Sequence, residues 1–244
     1  MRILIISDIH SNLVALETVL HAAGSYDELW CLGDTIGYGP RPNECINLMR
    51  SHGKVVISGN HDLACLEKID LSDFNPDART ANRWNGQQLS AENRAWLEPL
   101  SAMRKINDEF SIAHGSPREP IWEYLLTPDQ ARENFPYFET HVCFIGHSHV
   151  QLGFRLNTDG RCERFLPDHN GHTVELKPER RFLLNPGSVG QPRDQDPRAA
   201  YAILDTSQGT VSFYRTEYEI AKTQKQMREA HLPHALIRRL DFGL

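Results

Sequence analysis

The sequence predicts an α/β fold, and two observations carry that expectation. Short apolar runs of strand length recur along the chain, and stretches with helical apolar spacing fall between the first of them. The early runs also end in residues able to bind a ligand or do chemistry, at the edge where open α/β sheets place their sites.

At 244 residues, with 40% hydrophobic and 24% charged residues, the chain is expected to form one domain spanning 1–244 with a substantial core. The net charge of −6 argues against a broad phosphate-neutralising surface, so no extended nucleic-acid binding is expected. Five cysteines, scattered and without C-x-x-C spacing, indicate neither a disulfide framework nor a thiolate zinc site, and a reducing cytoplasm fits them. Ile3 to Ile6 is too short for a signal-peptide core or a membrane span, and no later run approaches spanning length, so no membrane association is expected. Nothing in the sequence sets an oligomeric state.

Arg2 to Ser7 reads as a central strand, and Asn12 to Ala23 as a helix with Leu13, Leu16, Val19 and Leu20 on one face and Ser11 as its cap. Glu28 to Leu32 is the second strand, ended by Gly33-Asp34, and Pro42 to His52 the second helix, with proline near its start. Val55-Val56-Ile57 is the third strand, closed by Ser58-Gly59. From about 63 to 100 the strand pattern stops. Pro76 to Leu89 and Ser90 to Leu97 read there as two helices, an excursion from the sheet. Phe110 to Ala113 and Val142 to Ile145 are further strands. After His149 come short strands near 151–156, 162–166, 173–176, 182–184, 200–204 and 211–215, expected to build a second sheet, then helices over 217–229 and 232–240.

The polar groups at the strand ends come in a fixed order. Asp8-Ile9-His10 sets a carboxylate and an imidazole on one side of an extended backbone, although alone it also suits a helix cap. Gly33-Asp34 follows, then Gly59-Asn60-His61-Asp62, His114 and Gly146-His147-Ser148-His149. Each separately also suits a turn or a structural role. Asn185 to Arg193 is a Pro/Gly-rich loop that suits a site border or a tight turn. His169 and His172, three apart in a turn region, lack a matched carboxylate pattern and read as structural or solvated.

As a set, these blocks closely resemble the calcineurin-like metallophosphoesterase family over about the first 150 positions. The 185–193 loop is compatible with the family's smaller bacterial and archaeal phosphoesterases, and the family also includes diadenosine tetraphosphatases and Ser/Thr protein phosphatases. The resemblance implies a four-layer αββα sandwich, two mixed β-sheets flanked by helices. It implies that Asp8, His10, Asp34 and His149 bind one metal ion, and Asp34, Asn60, His114 and His147 the other, with Asp34 bridging. It makes His61 the group that stabilises or protonates the departing oxygen, with Asp62 orienting its ring. Oxygen and nitrogen donors without thiolate suit two divalent ions, manganese or iron first and zinc also. Ions about 3.5–4 Å apart would activate a water for in-line attack on phosphorus, with no covalent enzyme intermediate.

The expected activity is hydrolysis of a phosphate ester or anhydride in a small molecule, a nucleotide or dinucleoside polyphosphate being favoured. Tyr38 near the metals, with Arg193 and either Arg79 or Arg83 on further phosphates, would suit a base bearing a polyphosphate. Two readings compete: a Ser/Thr protein phosphatase, and a non-catalytic scaffold such as the retromer subunit that resembles these enzymes. A scaffold needs neither the acid nor a complete ligand set, and here every motif position holds a competent residue.

Overall fold

Alternation along the first strand sets the architecture. The computed structural model describes residues 1–244. In β1 (Arg2–Ile6), Leu4 and Ile6 pack with Leu16 and Val19 of α1 (Leu13–Ala22) and with Cys45 and Met49 of α2 (Pro42–His52). Ile3 and Ile5 point the other way, into a core shared with residues of a second sheet, including Phe110, Ile112, Phe144 and Phe182. One strand thus buries both faces, each fully buried aliphatic contributing about 1.5–3 kcal/mol.

β1, β2 (Glu28–Cys31) and β3 (Gly53–Val56) are parallel neighbours. The excursion follows as α3 (Asn60–Cys65), α4 (Pro76–Gln88) and α5 (Ala91–Leu97). Then come β4 (Met103–Lys105), β5 (Phe110–Ala113), α6 (Pro128–Asn134), β6 (Val142–Phe144), β7 (Gln151–Leu156) and β8 (Cys162–Phe165). β9 (His172–Glu175), β10 (Arg181–Pro186), β11 (Ala199–Asp205), β12 (Thr210–Thr216), α7 (Ile220–Glu229) and α8 (His234–Arg239) complete the chain. The sheet orders are β3-β2-β1-β11-β12-β9 and β4-β5-β6-β10-β7-β8, both mixed, and the two lie face to face with helices outside. This is the expected αββα sandwich.

Three expectations need correction. The late strands do not form a sheet of their own: β9, β11 and β12 extend the sheet of β1, while β7, β8 and β10 complete that of β5 and β6. Pairing partners are chosen by the shared core, which strand periodicity does not encode. The first helix is capped by Asn12, whose Oδ1 accepts from Ala15 N at 3.2 Å, because the Ser11 hydroxyl donates instead to Asn85 Oδ1 at 2.6 Å. Three elements form where the sequence pattern announced none: α3, whose opening turn holds Asn60, His61 and Asp62, together with β4 and α6.

No helix is long and apolar enough to cross a membrane. All five cysteines are free, and four are buried.

Candidate metal centre and catalytic histidine

The parallel strands β1, β2 and β3 of one sheet, and β5 and β6 of the other, deliver their C-terminal ends to one place. Asp8, His10, Asp34 and His149 converge there with ligand atoms within 4.8 Å of one another, and so do Asp34, His114 and His147. Asp34 belongs to both groups. Asn60 Oδ1 joins the second group, 3.1 Å from His114 Nε2. All seven metal-binding candidates from the sequence therefore meet, and all are buried.

Close packing of backbone makes this possible. Gly33, at φ +94°, and Gly59 lie against each other, and a Cβ on Gly59 would sit 2.1 Å from Asp34 Oδ1. Seven of the ten non-glycine residues with positive φ are at the site: Asp8, His10, Ser11, Asp34, Tyr38, His147 and His149. Each costs of order 1–3 kcal/mol, strain that persists where the surrounding structure over-determines it and that concentrates at functional sites.

The hydrogen bonds fix what the ligand atoms can do. Nδ1–H of His10 donates to the Ile36 carbonyl (3.3 Å), that of His114 to the Leu32 carbonyl (2.9 Å) and that of His149 to the Gln191 carbonyl (2.6 Å). Each neutral ring therefore turns a bare Nε2 lone pair inward. The Nε2 atoms of His10 and His149 meet at 3.0 Å, and that of His114 faces Asp34 Oδ2 at 3.5 Å. His147 donates from Nε2 to the Trp122 carbonyl at 3.2 Å, leaving its Nδ1 bare.

The two aspartates are arranged alike. Asp34 Oδ1 accepts from His61 N (2.8 Å) and Asp8 Oδ2 from His147 N (3.0 Å), while Asp34 Oδ2 and Asp8 Oδ1 are buried without a hydrogen-bond partner. Acceptors thus face acceptors throughout, which fits a bound cation and little else.

Charge follows burial. Burial pushes His10, His114 and His147 below the usual imidazole range. His149 falls to about 4 through burial and the nearby Arg193 charge. Asp34 is driven up by burial and by the carboxylates of Asp62 and Asp8, a crowding that a cation relieves.

His61 lies beside this cluster, its ring centroid 4.8 Å from that of His10, 4.2 Å from Tyr38 and 5.0 Å from Phe74. Asp62 does not orient the ring, which corrects the expectation drawn from their adjacency. Its carboxylate accepts from the backbone N–H groups of Gly59 (2.9 Å), Ile36 (3.0 Å) and Thr35 (3.3 Å), because α3 points it back across its own first turn. The ring's hydrogen-bond partner is Asn82, whose Oδ1 lies 2.7 Å from His61 Nδ1.

Of the substrate-binding candidates, Tyr38 and Arg193 come together and Arg79 and Arg83 do not. Arg193 Nη2 donates to the Tyr38 hydroxyl (3.2 Å) and to Gln191 Oε1 (3.3 Å) and Nη1 to the Tyr124 hydroxyl (3.4 Å), all neutral partners, while its Nε is buried without one. Arg79 donates from Nη2 to the Phe74 carbonyl (3.2 Å), its buried Nε having no partner, and Arg83 is exposed on α4. The 185–193 loop borders the site, with Ser188 Oγ donating to the Asp8 carbonyl (2.8 Å) and Arg193 N to the His149 carbonyl (3.1 Å). Sequence reasoning missed Tyr124, stacked on His147 at 4.2 Å, and the amides Asn82 and Asn85. The last two carried a signal: they continue the buried Ala78-Ala81 face of α4, where amides are out of place unless bonded.

Asp168 Oδ1 receives His169 Nδ1 (2.5 Å) and His172 Nδ1 (2.7 Å), so this pair has a carboxylate between its rings after all, in a largely exposed turn.

Two mixed sheets with carboxylates and imidazoles gathered at their strand ends define a metallophosphoesterase-type hydrolase. The chain matches the calcineurin-like phosphoesterase superfamily domain over residues 1–209 and belongs to that family, hydrolases acting on phosphate esters. It is 48% identical to a metallophosphoesterase of Sphaerobacter thermophilus of known crystal structure, with TM-score 0.90 over 100% of this chain and 99% of the other. It is 37% identical to an uncharacterized protein of Methanocaldococcus jannaschii, over 99% of this chain and 98% of that one. A symmetrical bis(5'-nucleosyl)-tetraphosphatase of Vibrio campbellii is 29% identical over 147 residues, 53% of this chain and 49% of its own.

Proposed function

We propose that the chain hydrolyses phosphate esters or anhydrides of a small molecule at a dinuclear centre, with Asp8, His10, Asp34 and His149 on one ion and Asp34, Asn60, His114 and His147 on the other. The observation that carries this is Asp34 Oδ2, buried, without a hydrogen-bond partner, and 3.6 Å and 3.5 Å from the inward nitrogens of His10 and His114. Nitrogen and oxygen donors without sulfur favour manganese or iron, with zinc next. Bound there, divalent ions supply Lewis acidity, neutralising charge on the phosphoryl oxygens and acidifying water.

The chain's own groups do the rest. Backbone carbonyls hold each imidazole in the tautomer that keeps its lone pair inward. Arg193, free of carboxylates, binds a phosphate oxygen, and Tyr38 fixes the guanidinium. His61 faces the departing oxygen and gives it a proton from Nε2.

A nucleotide is the favoured substrate, supported by the match to the tetraphosphatase and by the aromatic and cationic border of Tyr38, Tyr124 and Arg193. The same reading treats residues 1–244 as one domain and sets it in the cytoplasm, where five free thiols stay reduced. Chelated protein given back manganese or iron, assayed on diadenosine tetraphosphate, a generic phosphodiester and a phosphothreonine peptide, tests it. Highest kcat/KM on the peptide makes the chain a protein phosphatase, and no hydrolysis under any metal makes it a scaffold.

A further inference from the structure

His61 needs a partner that holds its ring, and the carboxylate next to it in the chain is committed elsewhere. The Asp62 carboxylate accepts three backbone N–H groups and makes no hydrogen bond to the imidazole. Asn82 comes from α4, in the excursion outside both sheets, and its Oδ1 is the ring's one hydrogen-bond partner, at 2.7 Å. Tyr38, His10 and Phe74 box the ring on its other sides, so Nε2 is the polar atom left to meet a substrate.

Asn82 is itself an expensive residue. It is fully buried, and its Nδ2 has no hydrogen-bond partner. An orphaned amide N–H costs about 1–3 kcal/mol, so an apolar residue would serve α4 better if packing were all that mattered. Asn85, one turn on, locks the helix in register with the site: its Oδ1 accepts from Ser11 Oγ (2.6 Å) and Gly37 N (3.2 Å), and its Nδ2 donates to the Gly39 carbonyl (3.1 Å). Those contacts hold the loop that carries Tyr38, which packs on the His61 ring.

We propose that Asn82 is the positioning residue for His61, performing with a neutral amide the orienting task that sequence adjacency suggests for Asp62. The inference rests on the reading of His61 as the group that protonates the leaving oxygen. An amide oxygen only accepts, so Nδ1 carries a proton before and after the reaction. The ring acts from its doubly protonated form: the Nε2 proton passes to the leaving oxygen as its bond to phosphorus breaks and the bond from the attacking oxygen forms, and solvent returns a proton to Nε2 before the next turnover. The ring ends as the Nδ1–H tautomer that Asn82 already holds, with no second proton to move. A neutral partner also adds no negative charge where Asp8, Asp34 and Asp62 already crowd.

The test uses the full chain with metal added back, comparing Asn82→Ala, Asn82→Asp, His61→Ala and the double variant on phosphate esters of graded leaving groups. Asn82→Ala is expected to lower kcat for alkyl esters on the order of 10²-fold, the cost of a misplaced catalytic group. KM, bound metal and the rate on a dinitrophenyl ester should change little. Asn82→Asp, which keeps an acceptor in the same volume, restores most of the loss, and the double variant is no slower than His61→Ala. A loss equal for all leaving groups, or one that multiplies with His61→Ala, overturns the proposal. If Asn82→Ala does not fold, an Asn82→Asp variant as impaired on alkyl esters as His61→Ala overturns it too. If His61→Ala itself shows no leaving-group dependence, the acid reading fails first, and the two failures are told apart.

Discussion

His10 Nε2 and His149 Nε2 face each other at 3.0 Å with no proton to share, because each ring has already given its Nδ1 hydrogen to a backbone carbonyl. Two lone pairs at that distance repel in the absence of a cation, so the metal-free site stores unfavourable energy. Chelation should therefore lower the melting temperature, and divalent metal should restore it by binding only the folded chain. Calorimetry with and without chelator checks this. An unchanged Tm after verified metal removal contradicts it.

Stability of the metal-free protein should fall as pH drops. The histidines at positions 10, 61, 114, 147 and 149 all have depressed folded pKa values, chiefly through burial. For a base depressed on folding, the unfolded chain takes up protons first. Stability is thus intact above about 6.5 and is lost toward the folded value, about 4 for His149. Each such group contributes about 1.4 kcal/mol per pH unit while it titrates. Asp62, raised to about 6 by burial, and Asp34 act in the opposite sense but are outnumbered. Urea unfolding of chelated protein at pH 7.5 and pH 5 should show lower stability at pH 5, and a higher value there would refute the account.

Asp34→Asn should empty both metal positions, whereas His149→Ala should chiefly empty one, since Asp34 alone belongs to both clusters. Losing Lewis-acid stabilisation worth several kcal/mol corresponds to a fall on the order of 10³-fold in rate for Asp34→Asn. Elemental analysis of the purified variants decides. Full metal content in Asp34→Asn would remove it from the bridging position.

What was legible beforehand follows from how each feature is encoded. Elements such as β5 and α2 were readable to the residue, because they show unbroken local periodicity and punctuation, whereas the short α3, β4 and α6 were not anticipated and α7 begins three residues later than expected. The seven clustered residues were readable because they sit at strand ends in a recognisable order. Membership of β9, β11 and β12 in the first sheet was not, since their pairing depends on contacts across the whole chain. The roles of Asp62 and Asn82 were hidden for a related reason. Neighbours in sequence at the start of a helix point apart, while α4 returns from 21 residues away to touch His61.

Asp62→Asn should behave as a folding defect. Removing the charge that caps Gly59, Ile36 and Thr35 forfeits charge-assisted hydrogen bonds worth about 1.5–3 kcal/mol each at most. Denaturant unfolding should show lowered stability, with losses in kcat independent of the leaving group. Wild-type stability combined with the leaving-group dependence of His61→Ala would return Asp62 to the acid.

Arg193→Met should raise KM for phosphate esters about tenfold or more while sparing bound metal, because the guanidinium has only neutral partners in Tyr38, Tyr124 and Gln191 and a buried Nε without one. Steady-state kinetics at saturating metal checks it. An unchanged KM would make Arg193 a structural tie between the two tyrosines.

The most direct test of the account is a titration of exhaustively chelated protein with manganese or iron, following hydrolysis of a phosphate ester against equivalents of metal bound. The two clusters joined at Asp34 predict no turnover without metal and activity that saturates at two equivalents per chain. Full turnover by protein shown to be free of metal, or saturation at one equivalent with the second bound silently, would contradict it.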